Sequence, residues 1–435
     1  MSNPSPSPAT TETAGAVAEV QGLYGAFSFP ERLLQKIWLR GDFDGLSART
    51  ADGRPVTVRH PGRWNHLGGP DFDGARLVID GTEVTGSVEL HLDEKDWGAH
   101  GHAADPAYDA VVLHAVLFPC AEKFTQGAGG RRIPILCLLP LLHRGLEEYA
   151  ADEAMEQLAG RPLHYAQEAL GVLGHEELNT LLSGHAKERW RMKVYFARER
   201  VRRLGWEGAC HHAALEILGY RFNRAPMLSV ATAWPFAEWA AGRIDPAEVF
   251  TALAERWSLQ GVRPLNHPRV RLRQYAAWCA ARPDWPLRLR ENTRLPALAS
   301  AQARRNDGES VGDWRRRVGL TNLRAGLCDG LCAEAVGGSR FDNLVGDGLL
   351  PLLAAETGGD LEAAWSGWFA GDAPEAVTRV LRELGVFAGR DRPVSQGPVQ
   401  GLLGWMLARE AQKQGARDFS SVGAGLDKIL PHQLP

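Results

Sequence analysis

Asp80-Gly81 constrains the fold more than any other pair of residues in this 435-residue chain. A two-residue hairpin turn needs positive φ, which Asp and Gly tolerate, and alternating residues lie on both sides of it. Ala75–Ile79 and Thr82–Leu92 are therefore expected to be paired antiparallel strands. Side chains alternate across a strand, so Val84, Gly86, Val88, Leu90 and Leu92 share one face. Glu83, Thr85, Ser87, Glu89 and His91 share the other.

That second face carries the chemistry. Glu89 and His91 point the same way, and Asp71 sits in a Gly-Gly-Pro-Asp-Phe turn at the entrance to the first strand. A hairpin brings that entrance beside the far end of its partner. Two carboxylates there, with the Leu90 carbonyl, suit Mg²⁺ or Mn²⁺ completed by water. An ordinary solvent-facing strand explains the polar residues of this face equally well. Six of the fourteen histidines fall between 60 and 114, among them His100 and His102 with Asp105 close behind. That spacing resembles a zinc-hydrolase motif in which the Asp comes one place earlier and another His adjoins it. The alternative is a packed polar cluster of Trp97, His100, His102 and Tyr108. His114, in an apolar strand, reads as a satisfied core histidine.

Around this hairpin the pattern is mixed. ERLLQKIWLR after Pro30 is an amphipathic helix. Leu46–Thr50 and Pro55–His60 are expected strands about a turn at 51–54. Residues 93–109 are helical or irregular, Val111–Phe118 is a buried strand, and Ile133–Leu139 is a further one. After Pro140 the sequence turns to Leu, Ala, Glu and Arg at helical spacing, with no fixed repeat. The expected organisation is a disordered tail over 1–25, an α+β domain with a mixed sheet over 26–142, and a larger, irregular, mostly α-helical domain over 143–435.

Bulk properties limit the partners. Hydrophobic residues make up 44% of the chain, enough for a sizeable core. The net charge of −3 gives no global field for nucleic acid or an anionic membrane, so such a partner needs a local patch. One exists in AKERWRMKVYFARERVRRL, where Arg189, Arg191, Lys193 and Arg200 could follow a phosphate backbone. A solvated helix whose Arg stems cover apolar surface explains it as well. The six cysteines form neither a disulfide framework nor paired zinc knuckles, and read as core residues in a reducing cytoplasm. The Ser-, Pro- and Thr-rich start lacks the two regions of a signal peptide, and no apolar run approaches ~18 residues. A soluble cytoplasmic protein is expected.

The chain resembles a bacterial family known only as a domain of unknown function, number 2851. The matching stretches are ERLLQKIW, PGRWNHLGGPDFDGARLVI, GSVELHLDEKDWGAHGH with Asp105 and Tyr108, and VVLHAVLF, then GVRPLNHPRVRL and FDNLVGDGLLPLL. The N-terminal part is also similar to the PD-(D/E)XK nuclease core, a helix, a three-stranded meander, a helix and a further strand. That resemblance implies a metal-dependent nuclease or phosphodiesterase. Pro70-Asp71 would be its PD step and Glu89 its second acid, with Glu31 an additional metal ligand. His91 stands where Lys is usual, so it would activate or orient water. Asn65, His100, His102 and Asp105 are candidates for outer-sphere or phosphate contacts. Two alternatives stay open: a catalytically inactive nuclease-like scaffold, and a zinc-dependent hydrolase using His91, His100, His102 and Asp105.

Overall fold

The computed structural model describes residues 17–22, 25–66, 68–146, 148–150, 152–153, 163–220, 223–298, 300, 309–387 and 394–422. They divide into two compact units, Met1–Ala150 and Ala151–Pro435. No described helix is long and apolar enough to cross a membrane.

The first unit is a mixed sheet with helical segments. Strands β1 (Val17–Gly22) and β2 (Gly25–Pro30) pair antiparallel, then α1 (Glu31–Arg40) begins at Pro30 and stops at Gly41. Gly41 takes the left-handed conformation (φ 57°), which closes the helix end at no side-chain cost. The main sheet runs β3 (Val56–His60), β5 (Phe72–Ile79), β6 (Thr82–His91), β7 (Val111–Val116), β9 (Arg132–Cys137) and β8 (Phe124–Gln126), with β4 (Arg63–Trp64) beside β5. β5 and β6 are the antiparallel hairpin about Asp80-Gly81. β6, β7 and β9 are parallel. The crossover from β6 to β7 carries a short helix α2 (Asp96–Ala99) and two 3-10 turns, His102–Ala104 and Pro106–Tyr108.

Alternation along β6 and β7 places the core. Leu33, Leu34, Ile37 and Trp38 of α1 pack with Leu77, Val88, Leu90, Leu113 and Leu136. Val111, Ile133, Trp97 and Tyr108 form a second, smaller cluster. A bulge changes the parity of β7, because Ser87 pairs with Val111 but Val88 pairs with Leu113. Gly86 stands at this bulge. A Cβ there would lie 2.4 Å from Val112 Cγ1 and 2.6 Å from the Ala110 carbonyl, so only glycine fits.

Three features differ from expectation. Residues 1–16 of the expected tail lie outside the described residues, but Val17–Gly22 is a strand, its ladder satisfied by β2. Leu46–Thr50 is not a strand; only the bridges Arg49 to Pro55 and Thr50 to Leu136 form there, because Asp44 turns the chain by accepting from the Leu46 and Ser47 amides. The first unit also runs past residue 142: Arg144 pairs with Asp42 at 3.1 Å, and the Tyr149 hydroxyl donates to the Asp42 carbonyl at 2.7 Å.

The second unit is helical. Its longest element, His175–Leu218, is broken at Gly205 (φ 69°, ψ 173°), a conformation open to glycine alone. Its main core holds Trp239, Trp278, Trp285, Trp365 and Trp368. The GDG of FDNLVGDGLL lies in a π-helical turn, Leu344–Leu349.

Candidate metal centre

β6 enters the interior at Ser87, and from there to His91 every residue is buried. Glu89 is 4% exposed and His91 1%. The solvent-facing explanation of this strand face holds for Glu83 and Thr85, which are exposed, and fails for Ser87, Glu89 and His91, which are buried.

The acids meet at one end of the hairpin. The Asp71 amide donates to Glu89 Oε2 at 2.9 Å, and Asp71 Oδ2 accepts from the Leu90 amide at 3.0 Å. Gln35, one turn into α1 from Glu31, donates to Asp71 Oδ1 at 2.6 Å and reaches Glu31 Oε1 at 3.4 Å. Glu31 Oε2 is buried with no hydrogen-bond partner. Among the described residues, no Lys or Arg pairs with Glu31, Asp71 or Glu89. Burial, then the Asp71 and Asp96 charges, pushes Glu31 up to about 8. Burial also raises Asp71 and Glu89, and the Asp71 charge raises Glu89 further.

Imidazoles converge on the other side of Glu89. His91 Nε2 lies 3.2 Å from His100 Nδ1 and 3.3 Å from His102 Nε2. Glu89 Oε1 lies 3.6 Å from His91 Nε2 and 3.5 Å from His102 Nε2. Behind them, His91 Nδ1 is 2.9 Å from His114 Nε2, and His114 Nδ1 is 2.7 Å from the Thr125 hydroxyl. The His102 ring stacks on Tyr108 with centroids 3.8 Å apart. Trp97 meets His102 edge-on and fixes its own indole on the Gln126 carbonyl at 3.0 Å. Burial, followed by the neighbouring imidazoles, depresses His91 to about 2, His114 to about 3 and His102 to about 4. All three are neutral at neutral pH.

Not every expected residue joins this centre. Asn65 spends its amide on the Gly68 and Pro70 carbonyls at 2.6 and 3.1 Å, so it shapes the turn that presents Asp71. Asp105 caps the following 3-10 turn by accepting from the Ala107 amide at 2.9 Å and stands outside the imidazole group. On the long helix, Arg189 donates to Gln400 at 2.7 Å, Lys193 pairs with Asp347 at 3.0 Å, and Arg200 pairs with Glu216 at 2.8 Å. Arg191 stays exposed. The basic helix thus offers less uncompensated charge than its residues suggest.

Sequence reasoning missed Gln35 and the role of Thr125. The signal for Gln35 was its i+4 spacing from Glu31. For Thr125 there was none, because β8 is too short to show a pattern.

The sequence profile of a family described as a protein of unknown function (DUF2851) matches residues 31–254. This stretch includes every residue of the centre. No curated protein and no solved structure matches the chain.

Proposed function

We propose that this chain, which belongs to the family of proteins of unknown function DUF2851, is a metal-dependent hydrolase of phosphodiesters, acting on nucleic acid. The carrying observation is the acid pocket. Among the described residues, the buried Glu89 and the half-buried Asp71 and Glu31 stand together without a basic partner, and Glu31 keeps a buried oxygen with no hydrogen-bond partner. Buried acids of this kind are either protonated or gathered for a cation. Asp71, Glu89 and Glu31 are all oxygen donors, which fits Mg²⁺ or Mn²⁺.

Such an ion supplies an activated water and neutralises charge that builds on phosphate. The protein's part is positional. Gln35 and the Leu90 amide hold both oxygens of Asp71. The Asp71 amide holds one oxygen of Glu89 and leaves the other toward the imidazoles. His91 is neutral, so it does not supply the standing positive charge that Lys gives at the same place in a PD-(D/E)XK core. The chain order of helix, antiparallel strands, short helix and parallel strand supports the likeness to that core. The substrate class rests on this likeness.

The test is cleavage of mixed single- and double-stranded DNA and RNA by the full chain with Mg²⁺ or Mn²⁺. Cleavage lost in Asp71→Asn and Glu89→Gln supports the proposal. No cleavage, together with no Mn²⁺ binding by calorimetry, would instead favour a catalytically inactive scaffold.

A further inference from the structure

Three imidazole nitrogens gather beside the acid pocket, and one carboxylate oxygen faces two of them. They are His91 Nε2, His100 Nδ1, His102 Nε2 and Glu89 Oε1. The separations 3.2, 3.3, 3.5 and 3.6 Å are four of the six edges of the figure they form. A tetrahedral Zn²⁺ site with bonds of about 2.0–2.1 Å has edges of about 3.3–3.4 Å. The three imidazole ligand atoms all lie within 4.8 Å of one another.

Hydrogen bonding alone explains this figure poorly. The His91 Nε2 nitrogen has one in-plane lone pair or one proton, yet two imidazole nitrogens and a carboxylate oxygen face it. If it accepts from one neighbour, its lone pair is already used when the second approaches. A cation among the three imidazoles takes one lone pair from each, with the Glu89 oxygen beside it.

The surroundings suit a ligand set. A ligating histidine needs its other nitrogen protonated and held by an acceptor. His91 Nδ1 faces His114 Nε2, and His114 Nδ1 faces Thr125, so the two protons can run in series to the hydroxyl. Tyr108 and Trp97 fix the plane of His102. His91 and His102 are buried, whereas His100 is exposed and leaves a way in.

We propose that His91, His100, His102 and Glu89 form a second metal site for a nitrogen-preferring divalent cation of the Zn²⁺ class, with Glu89 shared between it and the acid pocket. The sharing rests on the phosphodiesterase proposal, while the imidazole site itself does not. It differs from the zinc arrangement expected from sequence, since Asp105 is replaced by Glu89. A cation there restores a standing positive charge where His91 takes the place of Lys.

The test uses metal-stripped full-length protein titrated with Co²⁺. Visible absorption separates tetrahedral from octahedral ions, and elemental analysis after dialysis against Zn²⁺ gives stoichiometry. The wild type is expected to bind one tetrahedral Co²⁺. His100→Ala and His102→Ala should weaken it more than ~100-fold, beyond the 10–100-fold typical of lost outer partners. Asp71→Asn should retain it. Thermal melts of each metal-free variant verify folding, and the exposed His100 is the substitution least able to disturb it. No tetrahedral signal in the wild type, or one surviving both histidine variants, overturns the proposal. A signal lost in Asp71→Asn but kept in His100→Ala also overturns it, and leaves the acid pocket as the only metal site. Tetrahedral Co²⁺ with no Mn²⁺ binding upholds this site and sinks the Mg²⁺ or Mn²⁺ reading.

Discussion

The main-chain amide of Asp71 donates to Oε2 of Glu89 at 2.9 Å, so the Pro-Asp turn and the Glu-x-His strand hold each other in place. Asp71 Oδ2 returns the contact through the Leu90 amide. Both donors belong to the backbone and survive substitution of the acids. Asp71→Asn should therefore fold, with a melting temperature equal to or above that of the metal-free wild type, since a neutral amide replaces a half-buried acid with no basic partner among the described residues. Its Mn²⁺ affinity should drop by more than ~100-fold, beyond the loss typical of an outer partner. Calorimetry and melting curves measured side by side check both halves.

Gln35 spans two acids from the opposite element. Gln35→Leu removes the 2.6 Å hydrogen bond to Asp71 Oδ1 and leaves that oxygen without its side-chain donor. Mn²⁺ affinity should fall ~10–100-fold, the usual cost of losing an outer partner. An unchanged titration would show that Gln35 does not orient Asp71.

The pH dependence of stability has a definite sign. Glu31 is held at about 8 when folded, well above its ordinary value of 4.5. Its stabilising contribution is complete below the unfolded value and disappears as pH rises through the folded one. The depressed histidines His91, His102 and His114 oppose this slope until the unfolded chain has shed their protons, about one pH unit above the ordinary value of 6.5. The metal-free protein should therefore lose stability from about pH 7.5 upward through pH 8, and Glu31→Gln should lessen that slope, leaving the share of the raised Asp71 and Glu89. In acid the sense reverses for His91, His102 and His114, whose folded values are depressed: the unfolded chain takes up protons that the fold refuses. Denaturant unfolding across this range, with chelator present, decides; a slope identical in Glu31→Gln would refute the assignment.

Gly86 controls how closely β7 approaches β6. Gly86→Ala places a Cβ against Val112 and the Ala110 carbonyl and should destabilise by ~1–3 kcal/mol. The ladder that sets His114 behind His91 should loosen with it. Urea unfolding measures the first effect, and hydrogen exchange at the β6 and β7 amides measures the second.

Lys193 and Arg191 separate a structural helix from a nucleic-acid surface. Lys193 pairs with Asp347, which also accepts from Gln396 at 3.1 Å and Asn343 at 3.2 Å. Lys193→Ala should cost ~1–2 kcal/mol, and Arg191→Ala less than ~0.5 kcal/mol. Equal and negligible costs in chemical unfolding would show that the Lys193 pair is a surface contact.

Much of the centre was legible as parity and spacing. Asp80-Gly81 implied the hairpin, alternation put Glu89 and His91 on one face, and the Pro-Asp turn landed opposite them. Other features were not legible. A solvent-facing strand and a buried site fitted the polar residues of β6 equally well, because alternation reports which residues share a face, not that Glu83 and Thr85 are exposed while Ser87, Glu89 and His91 are covered. The expected strand at 46–50 was lost because Asp44 captures two local amides. The basic stretch read as a charged stripe because its partners, Gln400, Asp347 and Glu216, are remote or out of phase in sequence.

By itself the sequence determined local matters: the helix after Pro30, the hairpin, the shift to helices after Pro140, and the acids and histidines available to a centre. These follow from dihedral preference and side-chain period, which act over a few residues. Only the tertiary structure decided that Gln35 links Glu31 to Asp71, that a bulge beside Gly86 turns His114 toward His91, and that His100 and His102 return over the strand. Those meetings depend on strand register and on the path of the β6 to β7 crossover. Both are fixed by burial of the whole unit rather than by any short run of residues.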